Sequence, residues 1–428
     1  MGKTAWHFVG FGVVALGLVT LGCGGSGSSS QFLTPAPDPT CTASAISALS
    51  SKTDNMVELQ KAGAIVPSTT VAYATDAGVR AHTNHLIAMG NATSRLSGPT
   101  GLTPDLVRTA YGVPPNLGAG AIAIVDAYHY PTSVADFNTF STQFGLPTEP
   151  SGSATASTNA VFQVVFAAGV QPATDTGWSQ EMAIDTQWAH AMAPNAKIYL
   201  VEAKSASVAD LMTAVNVAKA LPGVKQVSMS FGATESACNF VKYDPNLVQS
   251  GVAFFAAAGD TSNEKDFPAL SKNAVSVGGT TLITDGVGNR VSENAWNQTG
   301  GGISAFEPRP TFQNLVIGKT TTFRAGCDIS AVGDPITGVS VYDSTASGGL
   351  SGWINFGGTS VACPIVAGIA NAAGSHATSS TSFNTLLYSM IGTSGLYDVK
   401  HGTSGVNSAD HGWDVVSGVG SPNGIAGL

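Results

Sequence analysis

Ser360 stands in Phe356-Gly357-Gly358-Thr359-Ser360-Val361-Ala362-Cys363-Pro364, directly ahead of the apolar run Ile365–Ala373. A serine on a tight glycine turn at the start of a helix exposes its oxygen, and the helix dipole favours negative charge there. A bare Gly-Thr-Ser would be read as an ordinary helix cap. The proline and the apolar helix behind it argue instead for a nucleophile. A serine nucleophile needs a base, and Glu181 and Asp185, in Trp178-Ser179-Gln180-Glu181-Met182-Ala183-Ile184-Asp185, supply two carboxyls four residues apart. At that spacing both leave one helical face. Like charges so placed are unfavourable on a free surface, so the pair in these apolar surroundings needs a reason. Asp260 follows the apolar run Phe255-Ala256-Ala257-Ala258-Gly259. It can stabilise an oxyanion only when protonated, because an ionised carboxylate accepts hydrogen bonds and donates none.

A histidine base is the competing arrangement. It would use Asp126, at the end of Ile122-Ala123-Ile124-Val125-Asp126, with His190 in Trp188-Ala189-His190-Ala191-Met192. His190 reads as a packing residue on a helix.

These groups must be positioned by an α/β framework. Short runs rich in β-branched residues (Ala121–Asp126, Lys197–Val201, Val224–Ser230, Val252–Ala258 and Ala274–Val277) alternate with helical patterns over Ser179–Ala193 and Ser207–Leu221. Fully apolar strands separated by helices predict a doubly wound parallel sheet covered on both faces. In such sheets chemistry sits at the carboxyl ends of the strands, where Asp126, Ser230–Gly232 and Gly259–Asp260 fall.

The Ser360 segment is similar to the nucleophile motif shared by subtilisins and sedolisins, the serine-carboxyl peptidases. The Glu181-x-x-x-Asp185 helix and the Gly259-Asp260 loop resemble the sedolisin pattern in particular. The resemblance runs from about Gly101 to Leu428. It implies a subtilisin-like fold and hydrolysis of peptide bonds inside protein chains, with Ser360 as nucleophile, Glu181 as base, Asp185 orienting it and Asp260 as oxyanion donor. Asp126 stands where members carry an acid supporting the base. Val227-Ser228-Met229-Ser230-Phe231-Gly232 resembles the substrate-binding strand, with Ser228, Ser230, Phe231 and Gly232 facing the peptide. Phe231 replaces a Trp that many members have, which weakens an outer link to Asp126. The resemblance also implies one structural calcium ion, with Asp398 and Asp414 giving side chains and Val399, Asp410 and Gly412 giving carbonyls. An acidic pH optimum follows from the carboxyl base, since unperturbed carboxyls titrate near pH ~4.

Composition and termini bound the rest. Eighteen Lys plus Arg against 27 Asp plus Glu give a net charge of -9, which argues against nucleic acid as a partner. Residues 6–21 are apolar behind Lys3, too short to span a membrane and of the length of an export signal. Residues 1–22 are therefore expected to be a signal. Leu21-Gly22-Cys23 resembles a lipoprotein processing site, giving an exported chain that is released or anchored through Cys23. Residues 23–98 read as a tether and short prosegment or linker, and 99–428 as the peptidase domain, a monomer acting on protein or peptide substrates. Setting Cys23 aside, Cys41, Cys238, Cys327 and Cys363 allow three full pairings. A Cys238–Cys327 bridge is one open choice, and Cys363 is expected as a buried free thiol.

Overall fold

The computed structural model describes residues 55–61, 63–89, 98–319, 322–374, 378–426 and 428. The expected signal, Cys23 and Cys41 lie outside them. In chain order the strands that frame the site are β1 (His82–Thr83), β2 (Leu86–Ala88), β3 (Ala121–Ala127), β4 (Phe162–Phe166), β5 (Lys197–Ala203), β6 (Val224–Met229), β7 (Phe231–Thr234), β8 (Ala253–Ala257), β9 (Asp266–Phe267), β10 (Val275–Thr284), β11 (Arg290–Ala295), β12 (Ile329–Val332), β13 (Val339–Ser347) and β14 (Leu350–Gly357). The helices are α1 (Ser133–Gln143), α2 (Thr176–Met192), α3 (Val208–Ala218) and α4 (Thr359–Ala372).

The main sheet runs β11-β10-β8-β6-β3-β5-β4, with β12 also paired to β10. Every pairing is parallel except that of β11 on β10. The expected parallel α/β architecture is therefore observed. All of β3 is buried, which suits Ala-Ile-Ala-Ile-Val-Asp-Ala to a strand covered on both sides. Strands β8, β6 and β3 are neighbours, so the loops after their carboxyl ends bring Asp260, Ser230 and Asp126 to one edge.

Helix α2 begins at Thr176, three residues ahead of the expected start, because Asp175 caps it by accepting from the amides of Gly177 (3.0 Å) and Trp178 (3.1 Å). From Gly177 to Met192 the whole helix is buried. It packs closely against α4, where a Cβ on Gly368 would stand 2.7 Å from Met192 Cβ and 2.8 Å from the Ala189 carbonyl. Glu181 lies eight residues before Ala189, and Ser360 lies eight residues before Gly368. Each catalytic candidate thus stands about 12 Å along its own helix from this contact.

The segment before residue 98, which carries no periodicity in the sequence, joins this framework. Strand β1 runs antiparallel to β7, pairing His82 with Gly232 and Thr83 with Phe231. Strand β2 pairs with β14, Ile87 opposite Phe356 and Leu86 opposite Gly357. Strands of two and three residues are too short for an alternation to register.

The cysteines correct one expectation. Cys238 is disulfide-bonded, but Cys327 is a buried free thiol, so the two do not form a bridge. Cys363 is free and buried, as expected.

Replacing Gly368 by Val should wedge α2 from α4, lowering stability by about 1–3 kcal/mol and separating Glu181 from Ser360. We expect a lower denaturation midpoint and at least a tenfold loss of any peptidase kcat. An unchanged midpoint would show that the helices do not need this close approach.

Candidate active site

Ser360 is fully buried in the first turn of α4. The cap residue Gly358 has φ 104°, a left-handed backbone open to glycine, and it turns β14 sharply into the helix. The Ser360 hydroxyl donates to the Ser230 carbonyl at 3.1 Å. Its backbone N–H donates at 2.9 Å to the carbonyl of Asn84, a residue of the segment between β1 and β2.

Glu181 and Asp185 are both fully buried on α2. Asp185 accepts from the Ser230 hydroxyl at 2.8 Å. Burial, reinforced by the charge of Glu181, holds its carboxyl well above the usual range. Burial also pushes Glu181 up to about 8, against the pull of the Ser360 hydroxyl and the Asn84 backbone. One Glu181 oxygen meets His85 Nδ1 at 2.6 Å. Burial pushes the His85 imidazole down to about 4. Burial thus disfavours the charged form of both partners, which weights this contact toward a neutral carboxylic acid–imidazole hydrogen bond.

Asp260 accepts at one oxygen, from the Thr359 amide (2.7 Å) and the Thr359 hydroxyl (2.9 Å). Its other oxygen, Oδ2, is buried with no partner. Burial raises this carboxyl well above its ordinary value, which favours the protonated form that an oxyanion donor needs. A Cβ built on Gly358 would overlap both Asp260 Oδ2 and the Asn84 carbonyl oxygen. Those two oxygens therefore crowd the same space above the turn. The Ser360 amide and Asp260 together form a pocket for a carbonyl oxygen, and the chain's own Asn84 carbonyl lies in it.

The model of the subtilase family (peptidase S8) matches residues 151–420. Kumamolisin of Bacillus sp. (strain MN-32) is 30% identical over 377 residues, 78% of this chain and 64% of the relative. Sedolisin of Pseudomonas sp. (strain 101) is 36% identical over 172 residues, 36% of this chain and 28% of the relative. The solved structure of Pseudomonas sedolisin, a serine-carboxyl proteinase complexed with two molecules of pseudo-iodotyrostatin, aligns with TM-score 0.64 at 26% identity, over 76% of this chain and 96% of that one. The chain belongs to the subtilase family, in its sedolisin branch. It spans 64% of the length of kumamolisin and 28% of that of sedolisin.

In this sedolisin-type chain the four carboxyl and serine candidates converge, while His190 stands apart. Its Nε2 meets the Pro147 carbonyl at 2.9 Å and its ring packs on Phe137 at 4.6 Å, so it is a packing residue and no base for Ser360. Asp126 is fully buried, and no hydrogen-bond donor reaches either of its oxygens. Burial, with the charges of Asp185, Glu181 and Glu202, raises its pKa well above the ordinary value. Phe231, buried in β7, has no ring N–H to offer it. Ser228 faces inward, its hydroxyl 3.4 Å from the Cys363 sulfur, and Gly232 pairs with His82.

The expected calcium residues share one loop system. Gly412 N donates to Asp398 (3.0 Å), and Asp410 N donates to Asp414 (3.0 Å). The Ser417 hydroxyl lies 3.4 Å from the Val399 carbonyl. Two carboxylates on turning loops with nearby carbonyls are the hard-oxygen set calcium takes, and the residues fit it.

Sequence reasoning missed His82 and His85, which enter from the short strands of the 64–89 region. Only the alternation His-Thr-Asn-His could have drawn notice.

The raised carboxyls set a sign for stability against pH. Glu181 and Glu202 (each about 8) and Asp343 (about 7) bind protons more tightly folded than unfolded. Their contribution is complete below the unfolded values and is lost as pH rises through the folded ones. His85 and His190, lowered from 6.5 to about 4, act oppositely below pH 6.5. The melting temperature of the Ser360→Ala chain should therefore fall from pH 6.5 to pH 8, and less so when Glu181→Gln is added. A midpoint that rises over that interval would contradict protonated buried carboxyls.

Proposed function

We propose that this chain is a serine-carboxyl endopeptidase acting in acid through an acyl-enzyme on Ser360. The observation that carries this reading is the peptide carbonyl of Asn84, seated on the Ser360 amide beside Asp260 and Glu181 as a substrate carbonyl would be. Ser360 Oγ attacks the scissile carbonyl carbon while the Glu181 carboxylate takes its proton and becomes neutral, the negative charge passing to the carbonyl oxygen, and Asp185 orients Glu181 throughout. The Ser360 N–H and protonated Asp260 hold the oxyanion. Glu181 then gives the proton to the leaving amine, and water, activated the same way, releases the acyl group. Strand β7 holds the substrate by antiparallel pairing of its backbone, as it holds β1.

On this reading residues 80–89 are the part of a prosegment that occupies the cleft. His85 caps the base, and the segment excludes water. Burial is the main reason that Glu181 titrates high, so departure of the segment hydrates it and returns it toward acid values. Protonation of His85 favours departure: a free histidine titrates near 6.5 and docked His85 near 4, so its contribution to docking weakens as pH falls toward 4. Glu181 (about 8) and His82 (about 10) bind protons more tightly in the docked state and act oppositely, weakening docking as pH rises through those values. Calcium at Asp398, Asp414 and the carbonyls of Val399, Asp410 and Gly412 is structural and takes no part in catalysis. Export, with Cys23 as a lipid anchor, completes the proposal.

A gel time course of the full chain between about pH 3 and pH 8 tests the nucleophile and the base together. Wild type should trim itself in acid, while Ser360→Ala and Glu181→Gln stay intact. Trimming by Ser360→Ala, or no cleavage of any added denatured protein, would overturn the reading. His85→Phe, which cannot gain a proton, should slow acid trimming at least tenfold relative to wild type. Equal rates would deny His85 a part in release. For the metal, calcium should raise the melting temperature by several degrees, and Asp414→Asn should abolish the response.

A further inference from the structure

The cleft holds a second cluster of titratable groups that the proposed reaction does not use. Strand β7 lies between β1 and β9, with His82 paired to Gly232 on one side and Asp266 to Thr234 on the other. Gly232 and Thr234 are two residues apart, so the side chains of their partners rise on the same face of the sheet. Glu264, two residues before Asp266, completes the group. His82 Nε2 stands 3.2 Å from Asp266 Oδ2 and 3.7 Å from Glu264 Oε1. The side chains of His82, Asp266 and Glu264 are 5%, 1% and 8% exposed. Outer hydrogen bonds aim the donor atoms inward. His82 Nδ1 donates to the Thr83 carbonyl at 3.1 Å, which leaves Nε2 to face the acids. The Thr261 amide donates to Glu264 Oε2 at 2.9 Å, which leaves Oε1 for the cluster. Neither Nε2 nor either Asp266 oxygen makes a hydrogen bond, although all three atoms are buried. The imidazole is near the carboxylate without being aligned to it. Buried polar atoms therefore converge on one point with no hydrogen bond among them.

We infer that His82, Glu264 and Asp266 form a binding site for a divalent transition-metal ion such as zinc, which latches residues 80–89 in the cleft. The site stands on its geometry, while its regulatory role rests on the peptidase reading and deepens it. Ligands about 2.0–2.1 Å from a tetrahedral zinc ion lie about 3.3–3.4 Å from one another. The two gaps at His82 Nε2, 3.2 Å and 3.7 Å, bracket that spacing. One imidazole nitrogen with two carboxylate oxygens is a set that zinc takes, whereas calcium and magnesium favour oxygen alone. Charge gives a second reason. Two buried carboxylates facing one imidazolium keep a negative charge uncompensated, and a dication bound to neutral imidazole balances both. Among the described residues no lysine or arginine pairs with either acid. Lys265, between them in the chain, lays its stem against Gly302, and Arg80 reaches toward the Tyr128 hydroxyl at 3.4 Å. The other groups whose charge acts on the cluster are Glu181, toward His82, and Asp260, toward Glu264, and both are acids. His82 belongs to the segment and the two acids to the body, so one ion ties the segment down beside Ser360. Binding displaces the proton of Nε2, and metal and proton therefore compete for that nitrogen. At neutral pH the ion holds the segment; in acid the proton returns, and the tie weakens to a single imidazolium.

Binding is tested on the full chain carrying Ser360→Ala at neutral pH, with excess calcium present to fill all-oxygen sites. Calorimetry should find one equivalent of zinc bound, and cobalt(II) should show the visible absorption of a tetrahedral site. Zinc should also raise the melting temperature by several degrees. His82→Gln and, separately, Glu264→Gln should weaken binding at least tenfold and remove the thermal shift, while Asp414→Asn should keep both. No binding, or binding that both variants retain, would overturn the site. If His82→Gln loses the docked segment, Glu264→Gln decides, because it leaves the residues of the segment unchanged. In the chain with Ser360 intact, zinc should slow self-trimming several-fold at the highest pH where trimming occurs, and His82→Gln should be insensitive to it. Equal rates with and without zinc would overturn the latch. If the metal-free chain neither trims itself nor cuts denatured protein, the peptidase reading falls, and the metal site is still decided by its own titration.

Discussion

The arrangement depends on burying several carboxyl groups with no fixed cation beside them. Asp126, Glu181, Asp185 and Asp260 are each at most 1% exposed. Among the described residues no lysine or arginine pairs with any of them. An isolated carboxylate in such a place costs several kcal/mol (~3 or more), and the group keeps its proton instead. That single fact favours a protonated Asp260 and couples Glu181 to Asp185. On the proposed reading, hydration of the cleft is then the event that frees the base. The sheet and helices supply the burial: α2 is covered along its whole length, and its contact with Gly368 fixes the register of Glu181 against Ser360.

The same constraint explains why the chain's own residues 82–88 fill the cleft so completely. An open site would hydrate the acids and leave the amide of Ser360 and the edge of β7 without partners. Asn84 takes the amide, β1 takes the strand edge, and the two histidines meet the two acidic groups. His85 does so as a neutral acceptor or donor and His82 as a cation, because one faces a single buried acid and the other faces two. A peptide that competes for this cleft must satisfy the same backbone groups.

Much of this was legible in the residues. The glycine turn before Ser360, the four-residue spacing of Glu181 and Asp185 and the acid after Gly259 are local patterns, and local geometry places them at helix starts and strand ends. The apolar runs of β3, β5, β6 and β8 predicted a parallel sheet for the same reason. Asp126 was placed on its strand, although the lack of any donor to its oxygens is a property of the packed structure. The choice against His190 could be argued from the absence of a histidine motif, but it was settled by where its ring packs.

By itself, then, the sequence determined the framework and pointed to the candidate reacting groups, because periodicity and capping act over a few residues. Tertiary structure decided the rest. Strands as short as His82–Thr83 and Leu86–Ala88 have no propensity of their own and exist only because β7 and β14 offer unpaired edges. The free Cys327, the capping of Glu181 by His85 and the His82–Asp266 contact over Gly232 join residues far apart in the chain. Such contacts are fixed by the packing of the whole domain, and no local pattern encodes them.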